Sequence, residues 1–210
     1  MIKKYWKLLI VTSLVTLLPM VAGLILWNQL PEQLPAHWNM AGEVDGWLGK
    51  PVFVFGMPAL MAALQWVMVV ASGADPKNKN ISDKVMQLIL WLIPVLTIVL
   101  CTVTYMTVMG LPVSVDIVMP IFMGLMFVII GNYLPKCKQS YTVGIKVAWT
   151  LNSEENWYRT HRFAGILWVI GGILGMATAF VGGFVAFMVI MAIMAVAPVV
   201  YSYILYRKGI

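Results

Sequence analysis

The sequence predicts an all-α polytopic membrane protein, with six transmembrane helices and both termini in the cytoplasm. Of its 210 residues, 61% are hydrophobic and only 10% are charged, against roughly 25% charged in soluble domains. The apolar residues gather into six runs, each near the ~20 residues needed to cross the hydrocarbon of a bilayer. When these runs are threaded back and forth, every one of the 14 basic residues except Lys50 falls on one side. That is the asymmetry expected of cytoplasmic segments.

The chain opens with MIKKYWK and an apolar run from Leu8 to Trp27. The run is longer than the apolar core of a signal peptide and no small-x-small cleavage site follows, so it reads as the first helix. A polar loop covers 28–50, and a second span runs from Pro51 to Ala71. The charged connection SGADPKNKNISDK leads to a third span, Val85 to Met109. GLPVSVD turns into a fourth, Ile117 to Gly131, which begins as early as Val113 if it is to reach full length. A polar stretch, 132–162, precedes a fifth span, Phe163 to Val181. A Gly182-Gly183 turn leads to the sixth, Phe184 to Tyr206. These divide the chain into an N-terminal helix pair with its loop (1–71), a middle pair (72–131) and a C-terminal region (132–210).

With the N-terminus inside, loop 28–50 is external and carries Glu32, Glu43 and Asp45, while 132–162 is cytoplasmic and basic. The net charge of +6 is then a topology signal and an attraction to anionic lipid, not a nucleic-acid footprint. Direct nucleic-acid binding is not expected. Cys101 lies in a span and Cys137 in the basic stretch, which argues against a disulfide framework.

Prolines 19, 58, 94, 120 and 198 punctuate the spans, where each frees a backbone carbonyl and favours a kink. Gly171, Gly172 and Gly175 in the fifth span permit close helix contact, either within the chain or between copies. The span cores carry no ionisable group that would serve a proton-driven pump. Gln65, Gln87, Thr97, Thr102, Thr104 and Thr107 are expected to bond between helices or back to the preceding turn.

His37 and His161 are the two histidines, and the topology puts them on opposite faces. His37 with Glu43 and Asp45 would supply a zinc-type donor set, but the spacing matches no helix motif. No metal and no cofactor are expected. Pro31 and Pro35 stiffen the external loop, and Gly42, Gly46 and Gly49 offer turns with positive φ. Trp38 and Trp47 can anchor it at the headgroups. The expected result is a compact lid whose acidic face suits a cationic peptide.

In 132–162 the aromatics argue against disorder. Lys136, Lys138 and Lys146 would lie near anionic headgroups, with Tyr141, Trp149 and Trp157 at the interface. Asn152-x-x-Glu155 reads as the cap of a helix that begins near Ser153 and continues into the fifth span. On that helix Glu155 and Arg159 are i,i+4 partners, and Trp157 and His161 share a face. His161 is then either packed and hydrogen-bonded, or a docking or pH-sensitive contact.

Two sets of residues carry a family resemblance. The first is L-P-x-x-L-P-x-H-W-N-x-x-G-x-x-D-G-W-x-x-K from Leu30 to Lys50. The second is N-Y-L-P-K-x-K from Asn132, Y-x-V-G-I-K-x-x-W-T-L from Tyr141, and E-x-x-W-x-x-T-H-R-x-x-G from Glu154. In this order they resemble the SdpI-like proteins: a small membrane domain of unknown function, then the SdpI C-terminal domain. The resemblance implies a non-enzymatic immunity protein of the bacterial plasma membrane, protecting against a secreted killing peptide, the sporulation-delaying toxin. It also implies a receptor that holds an ArsR-type repressor at the membrane. The external candidates for ligand contact are His37, Trp38, Asn39, Gly42, Glu43, Asp45, Trp47 and Lys50. The cytoplasmic candidates for partner docking are Asn132, Pro135, Lys136, Lys138, Tyr141, Gly144, Lys146, Trp149, Thr150, Trp157, Arg159, Thr160, His161 and Arg162. A metal-dependent membrane enzyme and a transport or structural protein are the competing readings.

Overall fold

Apolar runs of this length can satisfy their backbone in lipid only as helices or closed barrels, and the chain uses helices. A computed structural model describes residues 1–39, 43–181 and 183–210. It contains six helices long and apolar enough to cross a membrane. The protein is a multi-pass membrane protein. Much of each helix surface is apolar and exposed, Leu14, Leu18, Val67, Ile166, Val189 and Val196 among others. In water such faces would be a liability; in a bilayer they meet the acyl chains. The chain folds as two compact units, 1–73 with 86–115 and 74–85 with 116–210.

In the first unit, α1 (Ile2–Ile25) leads into a two-stranded antiparallel hairpin, β1 (Gln33–Trp38) and β2 (Val44–Gly49). A wide π-helical turn, Val52–Gly56, then opens α2 (Met57–Ala74). Pro58 has no N–H to offer the Val54 carbonyl. The wider turn there lets the Met57 N–H reach back to Val52 instead. The third helix, α3 (Asp83–Val108), completes the unit.

Gln65, Thr97 and Thr107 bond between helices or back to the preceding turn, while Thr104 bonds to a strand. Gln65, 1% exposed, donates to Thr12 Oγ1 (2.7 Å) and the Leu90 carbonyl (2.8 Å) and accepts from Ser13 Oγ (3.1 Å), which ties α1, α2 and α3 together. Thr97 and Thr107 bond back to Ile93 and Val103, and Thr104 reaches the Pro35 carbonyl under the hairpin. Leu30, Leu34, Phe53, Val54, Cys101 and Tyr105 form the apolar core below the strands.

The second unit holds α4 (Val115–Tyr133), α5 (Ala148–Asn152), α6 (Glu154–Thr178) and α7 (Phe184–Arg207). A 3-10 turn, Leu134–Lys136, extends the end of α4. The 132–162 stretch is therefore mostly helix-bound, with 137–147 and Ser153 irregular. Two helices outlast their apolar cores there, and α6 begins beside the expected Ser153. The fifth span begins nine residues earlier than its apolar run, at Glu154 rather than Phe163 (163 − 154). Gly182 lies outside the described residues, and Gly183 precedes α7.

The glycines of α6 pack within the chain. A Cβ on Gly172 would stand 2.5 Å from the Gly124 carbonyl oxygen, and one on Gly165 would stand 2.8 Å from that of Gly131. Both pairs are spaced by seven residues, so α4 and α6 cross antiparallel with backbone against backbone. Gly171 makes the same room for Met194 of α7. Gly172→Ala is expected to force α4 and α6 apart at a cost of about 2 kcal/mol, measurable as a lowered thermal midpoint in detergent.

Candidate functional site

Two polar clusters stand out, one in each unit. In the first, the hairpin brings the external candidates together. His37 Nδ1 meets Asp45 Oδ1 at 2.5 Å, and both side chains are well exposed. Asn39 and Glu43 close the turn: the Glu43 N–H donates to Asn39 Oδ1 (3.0 Å) and Asn39 Nδ2 to Glu43 Oε2 (3.3 Å). Trp47 is exposed and Trp38 half-buried. Gly42 lies outside the described residues.

The glycines in β2 do a different job from the one expected. Neither Gly46 nor Gly49 has a positive φ. Gly46 faces His37 across the ladder, where a Cβ would meet that of His37 at 2.8 Å. Among the described residues the loop is thus a paired hairpin with a close cross-strand approach.

Lys50 departs furthest from its expected display. Its side chain is 9% exposed, and Nζ donates to the Leu30 (2.9 Å) and Trp27 (3.4 Å) carbonyls just beyond the end of α1. Glu32 pairs with it at 3.1 Å, and the Trp27 ring lies 5.2 Å away. A cation at a helix C-terminus meets the negative end of the dipole and its orphan carbonyls. Lys50→Met is expected to strand those carbonyls and cost about 2 kcal/mol, seen as a lower midpoint on denaturant titration.

In the second unit, residues 75–80 and 137–162 build one buried polar junction. Asp75 is its hub, 4% exposed. Its Oδ2 accepts from Ser140 Oγ (2.7 Å), the Tyr141 N–H (2.8 Å), the Thr142 N–H (3.1 Å) and Thr142 Oγ1 (2.9 Å), and its Oδ1 from the Lys77 N–H (2.7 Å). Burial opposes ionisation of this carboxyl, but the donors from Ser140, Lys77, Thr142 and Tyr141 outweigh it and hold its pKa below the usual range.

Gln139 is the second hub. Its Nε2 donates to the Thr150 and Leu151 carbonyls near the end of α5 (both 2.8 Å), its Oε1 accepts from Lys77 Nζ, and its own carbonyl accepts from Asn80 Nδ2 (2.7 Å).

His161, 1% exposed, is packed and hydrogen-bonded. Its Nε2 accepts the Ile145 N–H (2.9 Å), so in its neutral form the ring proton is on Nδ1, 2.8 Å from the Trp157 carbonyl. Trp157 stacks on it at 4.0 Å and donates Nε1 to the Cys137 carbonyl at 2.8 Å. Gly144, at φ +117°, places its α-carbon against both rings, where a Cβ would be 2.6 Å from His161 Nε2 and 2.7 Å from Trp157.

The other inner candidates sort by face. Trp149 donates to Ser202 Oγ (2.7 Å) and packs on Tyr203 and Tyr206, while Thr150 and Thr160 are buried within the junction. Asn132, Pro135, Lys136, Lys138, Tyr141, Lys146, Arg159 and Arg162 are exposed. Arg159 pairs with Glu155 at 2.5 Å. The cap of α6 is Ser153, whose side chain accepts from the Asn156 N–H, not Asn152; Asn152 is the last residue of α5.

Sequence reasoning missed Asp75, Gln139, Ser140 and Asn156. Asp75 stands in a lysine-rich connection that also holds Asp83, and all of its partners but Lys77 lie 65 or more residues away. Among the described residues, no group of three or more His, Cys, Asp or Glu stands close enough to hold a metal ion. Cys101 and Cys137 are free thiols.

The comparisons fall on these two clusters. Residues 14–62, which contain the hairpin, match a domain of unknown function, DUF1648. Residues 136–202, which contain most of the junction, match the SdpI/YfhL protein family. Asp75 and Asn80 lie outside both segments. The chain is 25% identical over 207 residues to the immunity protein SdpI of Bacillus subtilis (strain 168), covering 95% of this chain and 96% of that protein. No solved structure matches. With both regions in order along one chain of apolar helices, this bacterial multi-pass membrane protein is similar to the SdpI/YfhL family from its first helix to its last.

Proposed function

We propose that this protein protects its host from a secreted toxic peptide, engaging the peptide at the hairpin and reporting it at the polar junction by recruiting a transcriptional repressor. The observation that carries the reading is the likeness to an immunity protein along 95% of the chain, through both clusters rather than one. The distribution of lysine and arginine supports a topology with both termini and the junction in the cytoplasm and the hairpin outside. The hairpin then offers the peptide an exposed Trp47 ring beside the His37–Asp45 pair and Glu43.

The junction would face an ArsR-type repressor with exposed Lys138, Tyr141, Lys146 and Arg162 over a rigid base. Helix α6 runs unbroken from Glu154 into the bilayer. A tilt of its membrane portion would therefore move Trp157 and His161, and with them the 137–147 segment. The role is binding and signalling without catalysis.

Deleting the gene tests both halves. Sensitivity to the cognate peptide should rise, and a reporter for the protein's own operon should no longer respond to that peptide. Unchanged survival overturns the immunity reading. Raised sensitivity with an intact reporter response removes the signalling half alone.

A further inference from the structure

The second unit contains an open cleft of about 550 Å³ between the end of α4 and the start of α6. That is within the ~300–1,000 Å³ of ordinary small-ligand sites. Its walls come from Pro135, Lys136 and Lys138 on one side and Glu154, Trp157 and Tyr158 on the other.

The floor has little bonding capacity left. Trp157 Nε1 is spent on the Cys137 carbonyl, and the Gln139 amide on Thr150, Leu151 and Lys77. Burial pushes the Cys137 thiol up to about 11, so it stays protonated. Recognition by charge therefore falls to Lys136 and Lys138. Both are exposed, and neither has a carboxylate partner among the described residues. Lys136 is held over the Tyr133 ring at 5.0 Å.

The place of the cleft decides what sort of anion fits. The fourth spanning helix ends at Lys136 and the fifth begins at Glu154, each a few residues beyond its apolar run, so the two walls meet beyond the hydrocarbon, at the level of the headgroups. Lysines at that height attract anionic lipid. The exposed Pro135 and Tyr158 offer apolar contact beside them. Glu154 on the facing wall disfavours a run of acidic residues.

We propose that this cleft is a binding site for the phosphoglycerol headgroup of an anionic phospholipid, with Lys136 and Lys138 holding the phosphate.

The test is native mass spectrometry of the full chain released from nanodiscs of phosphatidylcholine with a minority of phosphatidylglycerol. Retention of phosphatidylglycerol over phosphatidylcholine is expected. Lys136→Gln with Lys138→Gln should reduce that preference about tenfold or more, and Glu154→Gln should raise it. Lys7→Gln with Lys208→Gln removes equal charge elsewhere and should leave it unchanged. Thermal midpoints in pure phosphatidylcholine confirm that each variant is folded. Equal preference in the Lys136/Lys138 variant, an equal loss in the Lys7/Lys208 control, or displacement of the lipid by a soluble polyglutamate peptide overturns the assignment. The last result would give the cleft to an acidic protein segment.

Discussion

Asp75→Ala is expected to release the 139–147 segment from the 75–80 turn and to destabilise the protein by about 3 kcal/mol or more. The change removes the acceptor of Ser140 Oγ, both donors of Thr142 and the Tyr141 and Lys77 amides. Each buried donor left without a partner costs about 1–3 kcal/mol. A fall in thermal midpoint measures the loss, and faster hydrogen exchange at Tyr141 and Thr142 locates it.

The same carboxylate makes stability depend on pH. Its native pKa lies below the usual value of 3.8, so the native state binds its proton less readily than the unfolded chain. Its contribution is complete above the ordinary carboxylate range and is lost as pH falls through the lowered native value. Wild type should therefore lose midpoint below about pH 4. Asp75→Asn should start lower at neutral pH and fall less steeply. Parallel profiles for the two proteins would show that Asp75 is not the group responsible.

Gly144→Ala should be nearly as costly, about 3 kcal/mol, from two sources. A φ of +117° strains any residue with a Cβ by about 1–3 kcal/mol. The new methyl would also press on His161 Nε2 and the Trp157 ring at under 3 Å, and overpacking adds about as much again. The readout is exchange of the Ile145 amide, which now donates to His161. His161→Ala frees that amide without straining the backbone. Comparing the two variants separates the cost of the turn from the cost of the latch.

The spans were legible because hydropathy over about twenty residues is a strong local signal. The i,i+4 pair of Glu155 and Arg159 and the shared face of Trp157 and His161 followed from helical period alone. What escaped the sequence was long-range or antiparallel. Nothing local tells that Lys50 turns back to the carbonyls after α1, or that Asp75 collects donors from Ser140 to Thr142. Nor does anything local show the pairing of Leu34 with Leu48 and Trp47 with Pro35 that makes the loop a hairpin. Pro35 sits in that hairpin where its carbonyl, not a missing N–H, is used by Thr104. The cap of α6 slipped by one residue, from Asn152 to Ser153, because both residue types cap equally well.

Protection by the hairpin is the most direct measurement. Cells lacking the native gene would carry either the wild-type chain or a Trp47→Ala, His37→Ala, Asp45→Ala variant, at equal membrane abundance. Survival would be followed against the secreted toxic peptide. Trp47, His37 and Asp45 are exposed, and exposed pairs of this kind contribute only about 0–1 kcal/mol to folding, so the variant should remain folded. The expected result is full protection by wild type and little by the variant. Equal protection by both, or none by wild type, would contradict a peptide-engaging hairpin on an immunity protein.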